Sequence, residues 1–158
     1  MPLAQKATLS LILASSLAAS PLAISHFDDK EPMQSYRQSA FTLMAMNFGP
    51  MSAMLKGEMP WDQEQFARWA DDLDDIAELD IMRGFAEGTD KGTTRAKPEI
   101  WANMDDFKSK MGDLQEAADA LSDAAEAGDK DQIMAAFKAT GGACKACHDE
   151  YKSKEYLY

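Results

Sequence analysis

The chain has 158 residues and a formal net charge of −11, with 16 basic residues against 27 acidic ones. This length is sufficient for one domain with a hydrophobic core. The acidic composition argues against nucleic-acid binding, and it provides no basic patch for anionic lipids. Both cysteines fall within one pentapeptide near the C-terminus, so no structural disulfide is predicted.

Residues 1–25 have the features of a secretory signal peptide. Lys6 gives a short basic start, and residues 7–19 form a run of small and apolar residues that is too short to span a bilayer. Ala23-Ile24-Ser25 suits cleavage, and cleavage a few residues earlier would also fit. The alternative is an uncleaved anchor helix, but a proline interrupts the run. We therefore expect an exported protein of the bacterial periplasm, with no membrane segment in the mature chain, residues 26–158.

Four amphipathic helices are predicted in the mature chain. Their apolar residues recur three and four positions apart, and glycine or proline separates them. The longest connection, residues 84–97, contains several glycines and two adjacent threonines, which rule out a regular element there. No strand is predicted, so the expected fold is an all-α, antiparallel up-down four-helix bundle. The predicted helices cover residues 32–56, 61–83, 98–127 and 129–153.

The first helix has two features that affect its start and its path. Asp28 or Asp29 is predicted to cap its N-terminus. Gly49-Pro50 is expected to kink the helix or to split it, because proline removes one backbone hydrogen bond. The same helix carries an apolar stripe that includes Phe41, Met44 and Phe48, and this stripe is expected to face the interior of the bundle.

The last helix carries the pentapeptide Cys144-Lys145-Ala146-Cys147-His148, the C-x-x-C-H signature of haem c attachment. Positions i, i+3 and i+4 share one helix face, so two thioethers and one axial imidazole reach a single haem. The alternatives are a redox-active dithiol and half of a zinc site. A zinc site needs two more ligands, whereas His26 is the only other histidine in the chain and there is no third cysteine. A redox dithiol would be expected in a strand–helix context, and no strand is predicted.

We therefore predict one haem c, bound covalently through Cys144 and Cys147, with His148 as the axial iron ligand. The three residues fall on the apolar side of the last helix, so the haem is expected in the bundle core with the first helix on its distal side. Gly141 and Gly142 precede the motif, and they are expected to allow close approach of the porphyrin to the backbone.

The position of this motif and three further segments resemble the cytochrome c′ family, the four-helix branch of c-type cytochromes. Ordinary cytochromes c carry C-x-x-C-H near the N-terminus, whereas here it lies on the last of four helices. The likeness covers about residues 32–154. The segments that carry it are Tyr36-Arg37-Gln38-Ser39-Ala40, Lys56-Gly57, Pro98-Glu99-Ile100-Trp101 and the pentapeptide with the residues that follow it through Lys152.

The resemblance implies roles for residues outside the pentapeptide. Arg37 and Gln38 match residues near the haem propionates, and a guanidinium group is suited to pairing with a carboxylate. Lys152 matches a basic residue near the proximal face of the haem, where many relatives have arginine. The alternative for all three is an ordinary solvated side chain.

Phe41 matches the position that covers the sixth coordination site of the iron. Low-spin relatives of the cytochrome c-556 type have an iron-binding methionine there, whereas phenylalanine cannot ligate iron. The resemblance therefore implies five-coordinate, high-spin iron held by His148 under an apolar distal pocket. The expected function is binding of nitric oxide or carbon monoxide, for buffering or detoxification, with one-electron redox cycling. The alternative is a low-spin electron carrier with Met44 as sixth ligand, and His26 is a weaker candidate for that position.

Two further expectations concern enzymatic activity and assembly. A small peroxidase would need a polar acid or base above the iron, and the first helix offers only Phe41, Met44 and Phe48 there, so we predict no enzyme. The resemblance implies a homodimer that pairs through the first two helices. The apolar residues available for that surface include Met46, Met51 and Met54. The redox partner is not specified by the sequence.

Overall fold

The computed structural model describes residues 31–157. Its four long helices form a four-helix bundle, which confirms the predicted fold class. The predicted signal peptide, His26, Asp28 and Asp29 lie outside the described residues. The elements are α1 (Pro32–Leu55), α2 (Gln63–Ala77), a 3-10 turn (Ile81–Phe85), β1 (Thr94–Ala96), α3 (Glu99–Ala102), α4 (Met104–Ala127), α5 (Lys130–Tyr151) and β2 (Lys152–Leu157).

Helix α1 is one continuous helix whose cap differs from the predicted one. The side chain of Glu31 accepts a 2.8 Å hydrogen bond from the backbone N–H of Gln34, so Glu31 is the cap, and not Asp28 or Asp29. The helix continues through Pro50, so of the two expected effects of this proline the split is wrong and the kink stays a prediction. Met51 and Met54 follow the proline and are buried in the core. This packing stabilises the helix across the missing backbone hydrogen bond.

The second helix is shorter than predicted because the chain turns to pack against α1. Helix α2 ends at Ala77, and the 3-10 turn that follows contains Gly84. A Cβ atom on Gly84 would lie 2.9 Å from the Cβ atom of Arg37 and 3.3 Å from the carbonyl oxygen of Met33. Any larger residue would push the turn away from α1, so this contact requires glycine.

The strand pair β1–β2 shows that the prediction of a chain without strands is wrong. The two strands are antiparallel, with Thr94 opposite Leu157 and Ala96 opposite Lys152. A two-stranded ribbon is marginally stable by itself. Arg95 adds two side-chain hydrogen bonds of 2.8 and 2.7 Å to carbonyl groups of β2. These side-chain bonds leave no trace in the hydrophobic pattern from which the elements were predicted.

The third predicted helix is divided in two, and the start of the last helix is as expected. Helices α3 and α4 meet at Asn103, whose φ of −131° and ψ of 46° are not helical. Gly128 caps the C-terminus of helix α4, and it has a φ of 75° that favours glycine. Asp129 caps α5 by accepting hydrogen bonds from the backbone N–H groups of Asp131 and Gln132.

The hydrophobic core runs along the facing sides of the four long helices. Phe66, Phe107 and Ile133 are fully buried on α2, α4 and α5 respectively. The buried hydroxyl group of Thr140 donates a 2.9 Å hydrogen bond to the carbonyl group of Ala117, which joins α5 to α4. Among the helices of residues 31–157, none combines the length and hydrophobicity needed to cross a membrane.

Candidate functional site

A cavity of about 420 Å³ lies within the bundle, and it is lined mainly by apolar side chains. Most of its lining comes from α1, α4, α5 and the β1–β2 pair, and α2, the 3-10 turn and α3 each add one residue. This volume falls in the range of small-molecule and cofactor sites. The lining includes Phe41, Met44, Phe48, Phe85, Phe107, Met111, Leu114, Cys144, Cys147, His148 and Tyr151.

Helices α1 and α5 touch through an aromatic pair that belongs to this region. The ring of Phe48 stacks on the ring of Phe137, with centroids 4.1 Å apart and planes at 4°. A Cβ atom on Gly141 would lie 3.4 Å from the Phe48 ring, whereas Gly142 faces open space. In this structure Gly141 therefore accommodates Phe48. The expected approach of a porphyrin to these two glycines stays a prediction.

The pentapeptide presents its three functional side chains to the cavity. Cys144, Cys147 and His148 all belong to the lining, as the shared helix face predicts. Burial raises the pKa of both thiols, to about 11 for Cys147. A thiol that stays protonated at neutral pH is a poor partner for disulfide exchange. This argues against the redox-dithiol alternative and leaves both sulfur atoms available for thioether bonds.

The surroundings of His148 favour its neutral form. Partial burial lowers the pKa of the imidazole, and the positive charges of Lys152 and Arg95 lower it further. Neutral imidazole is the form that binds metals. Within residues 31–157, no three side chains of His, Cys, Asp or Glu are grouped as ligands for a metal ion. His148 provides one imidazole, and Cys144 and Cys147 provide two thiols, in the lining of one cavity. This is the set of groups that haem c requires.

Phe41 and Met44 reach the same cavity from α1. Phe41 is partly buried, and its ring contacts Phe85 edge to face with centroids 6.4 Å apart. Met44 lies one turn further along and is only 7% exposed, as part of the hydrophobic core. The α1 side of the cavity thus offers a benzyl group and one thioether. The assignment of Phe41 as the distal cover stays a prediction.

Arg37 is buried and holds the loop that connects α2 to α3, a role that the sequence did not reveal. Its Nη1 atom donates to the carbonyl group of Gly84 at 2.6 Å and to the hydroxyl group of Thr89 at 2.9 Å. Its Nη2 atom donates to the carbonyl group of Thr89 at 2.8 Å and to the hydroxyl group of Thr94 at 3.1 Å. All four Nη hydrogens are used within the protein, so only the Nε–H group is left for a propionate, and that pairing stays a prediction.

The other predicted residues lie at the edge of the cavity. Gln38 is exposed, and its amide group donates a 3.4 Å hydrogen bond to the carbonyl group of Thr93. Lys152 is exposed at the start of β2 and belongs to the lining. The cavity therefore brings together the candidate residues that lie within residues 31–157, although the contacts of Arg37 and Gln38 in this structure are with the loop.

Tyr151 is a residue of this site that the sequence analysis did not assign. Its ring is buried and meets the ring of Phe107 edge to face. Its hydroxyl group donates a 2.5 Å hydrogen bond to the carboxylate of Asp106 on α4. Tyr151 comes three residues after His148, so this bond fixes the turn that carries the imidazole. The helical spacing indicates that Tyr151 is buried, but nothing in the sequence identifies Asp106 as its partner.

Comparison with known proteins agrees with this arrangement. A family model for Cytochrome C′ matches residues 33–152. The cytochrome c′ of Alcaligenes xylosoxydans xylosoxydans is 42% identical over 129 residues, which cover 82% of this chain and 99% of that protein. The structure of cytochrome c prime from Shewanella frigidimarina has a TM-score of 0.76 and 45% identity, and the match covers 78% of this chain and 95% of that chain.

A third similar protein is a ferrous variant of cytochrome c prime from Alcaligenes xylosoxidans with bound nitric oxide. Its TM-score is 0.71 with 43% identity, over 78% of this chain and 94% of that chain. The family match spans α1 to the end of α5, and the cysteines of the cavity supply the thioether sulfur atoms. The chain therefore belongs to the cytochrome c′ family, and its cofactor is haem c.

Proposed function

We propose that the chain is a five-coordinate haem c protein of the periplasm that binds nitric oxide or a similar small gas. The observation that carries the proposal is that Phe41 and His148 line one cavity from different helices. An imidazole nitrogen can ligate iron, whereas a benzyl group has no lone pair to give. Haem iron held by His148 would supply one-electron redox chemistry and, under Phe41, a position for a gas ligand. The similar structure from Alcaligenes xylosoxidans with bound nitric oxide supports a gas as the ligand.

The side chains around Phe41 favour ligands that need no hydrogen bond. Met44 and Phe48 share its helix face, and Phe85 packs against its ring. Such an apolar surface does not stabilise a polarised dioxygen or peroxide, whereas nitric oxide and carbon monoxide depend less on polar partners. It also provides no acid or base for peroxide cleavage. The geometry therefore supports binding rather than an enzymatic reaction.

Titration of the ferrous protein with gases tests this proposal. We expect adducts with nitric oxide and carbon monoxide, seen as shifts of the Soret band, and no stable dioxygen adduct. A reduced protein that binds neither gas would contradict the proposal. The periplasmic location is supported by the predicted signal peptide, and N-terminal sequencing of the exported protein tests it.

A low-spin electron carrier is the second candidate, because the buried Met44 also lines the cavity. The thioether of methionine is a known axial ligand of haem iron. In that case the sulfur atom would occupy the position that a gas needs. The redox partner is not defined in either case, and the Met44 variant described in the Discussion separates the two candidates.

We also propose a homodimer formed through α1 and α2. Leu43 and Met46 are 49% and 67% exposed, and they line a surface groove together with Trp69 and Ile76. The earlier expectation that Met51 and Met54 contribute to this surface is wrong, because both are buried in the core of their own chain. Light scattering of Met46→Lys against the unchanged protein tests the dimer, which the lysine is expected to weaken by placing a charge in an apolar contact.

A further inference from the structure

The charged side chains that line the cavity differ in sign from those of the chain as a whole. The sequence has 27 acidic residues against 16 basic ones, yet the lining that residues 31–157 provide contains no aspartate or glutamate. It does contain four basic residues, namely Arg37, Arg95, Lys110 and Lys152. A haem carries two propionate groups, and basic side chains are the natural partners of such carboxylates. The charge of the lining therefore suits the cofactor.

Three of these four basic residues are already accounted for. The Nη hydrogens of Arg37 are used by the loop that connects α2 to α3. Lys110 forms a 3.6 Å ion pair with Asp106, one turn earlier on α4. Lys152 is exposed, so solvent and salt screen its charge. Arg95 is thus the basic residue of the lining whose charge remains to be explained.

The guanidinium group of Arg95 is held in place by neutral groups only. Its Nε atom donates to the carbonyl group of Ser153 at 2.8 Å, and its Nη2 atom donates to that of Lys154 at 2.7 Å. The residue is partly buried, and no carboxylate of residues 31–157 forms an ion pair with it. Within the same residues its Nη1 atom makes no hydrogen bond, so two N–H groups remain for an anion.

Strand β1 places Arg95 near His148, at the end of the cavity away from the cysteines. Ala96 of β1 pairs with Lys152, which directly follows α5. Cys144 lies two helical turns before Lys152, roughly 12 Å along the helix axis. Burial lowers the pKa of the His148 imidazole, and the charges of Lys152 and Arg95 lower it further. Arg95 therefore lies close to the imidazole rather than to the first thiol.

The attachment of the haem determines which of its edges faces Arg95. A haem has its two vinyl groups along one edge and its two propionates along the opposite edge, with the iron between them. Thioether bonds to the two cysteines therefore direct the propionates away from the cysteines and past His148. Arg37 reaches the same end of the cavity, because its Nη2 atom donates to the hydroxyl group of Thr94, the residue before Arg95.

We propose that Arg95 binds a propionate group of the haem through its Nη1 atom, while its Nε and Nη2 atoms stay bound to β2. The carbonyl groups of β2 then orient the guanidinium group toward the cofactor. The sequence analysis assigned the propionates to Arg37 and Gln38, whose contacts in this structure are with the loop. A guanidinium partner favours the ionised form of a carboxylic acid, so it holds the pKa of the propionate down.

Titration of the haem carboxyl groups tests this proposal. Infrared spectra of the haem-loaded protein with carbon-13 in both propionate carboxyl carbons separate these groups from aspartate and glutamate. In Arg95→Met we expect the proton affinity of one propionate to rise about tenfold, which raises its pKa by about one. Arg95→Lys keeps a positive charge and should leave that pKa close to the value in the unchanged protein.

Lys110→Met is the matched control, because it removes a charge of the same lining that is already paired with Asp106. It should change the proton affinity of either propionate less than about twofold. If Arg95→Met does not yield haem-loaded protein, Arg95→Gln has the same expected result, since it keeps a donor for β2 and loses the charge.

Three results would overturn the proposal. The first is an unchanged titration of both propionates in Arg95→Met. The second is an equal shift in Lys110→Met, which would indicate a general effect of charge rather than a specific pair. The third is an equal shift in Arg95→Lys, which would show that the positive charge is unimportant. None of these measurements involves a gas, so they decide the role of Arg95 separately from the proposed function.

Discussion

The guanidinium group of Arg37 and the carbonyl group of Gly84 are joined by a 2.6 Å hydrogen bond. Gly84 also packs closely against the side chain of Arg37, since a Cβ atom on Gly84 would lie 2.9 Å from the Cβ atom of Arg37. This contact attaches the turn after α2 to the helix that carries Phe41. The loop that leads to β1 is attached to α1 in the same way, through Thr89 and Thr94. The position of the cavity walls thus depends on one buried arginine and one glycine.

Replacement of Gly84 by alanine should lower the free energy of unfolding by about 1–3 kcal/mol, because the added methyl group overlaps the side chain and backbone of α1. Urea unfolding of the haem-loaded protein measures the change. Gly112→Ala in α4 is the matched control, since a Cβ atom there meets no neighbour within 4 Å. In that helix alanine should stabilise the protein by about 0.5–1 kcal/mol. Equal effects of the two substitutions would show that the contact with Arg37 is unimportant.

Replacement of Phe41 by methionine should convert the resting iron to a six-coordinate, low-spin state. The substitution brings a thioether to the position where the benzyl group now lies, and sulfur can bind haem iron. The absorption spectrum of the ferric protein measures the result, and gas affinity should fall with it. Phe48→Met is the matched control on the same helix face. It should lower stability by disrupting the stack on Phe137 but leave the spin state unchanged.

Replacement of Met44 by leucine should leave the spin state and the gas affinity unchanged. Met44 is buried in the core, and leucine of similar volume preserves that packing at a cost below about 1.5 kcal/mol. The ferric absorption spectrum and the carbon monoxide affinity are the measurements. A change from a low-spin to a high-spin spectrum in this variant would identify Met44 as the sixth ligand and support the electron-carrier alternative.

Replacement of Tyr151 by phenylalanine should alter the dependence of stability on alkaline pH. The hydrogen bond to Asp106 raises the pKa of the Tyr151 hydroxyl group to about 12 from the ordinary value of 10. The folded state therefore retains this proton after the unfolded chain has lost it, and the contribution to stability disappears as pH rises from 10 to 12. Thermal unfolding across this range should show a steeper loss for the unchanged protein than for Tyr151→Phe. Parallel curves would contradict the assignment.

The sequence predicted the features whose chemistry is local. The thiols and the imidazole of the pentapeptide are fixed by spacing on one helix, and the bundle follows from apolar periodicity and from glycine and proline at the helix ends. These features could be predicted because each depends on residues that are neighbours along the chain.

The features that the sequence did not predict depend on residues that are far apart in the chain. Arg95 stabilises β2 from 58 positions away, and Asp106 pairs with Tyr151 across 45 positions. Polar side chains of this kind do not contribute to the periodic spacing of apolar residues. That spacing therefore does not indicate which residues they pair with. The uninterrupted path of α1 through Pro50 has a similar origin, since the burial of Met51 compensates for a local preference against helix.

We infer that the iron has one protein ligand, His148, and that Phe41 leaves the opposite position open. Paramagnetic resonance of the resting ferric protein at neutral pH tests it most directly. We expect a high-spin signal with no low-spin component. A low-spin signal from six-coordinate iron would contradict it, because that signal requires a strong sixth ligand in the position assigned to the gas.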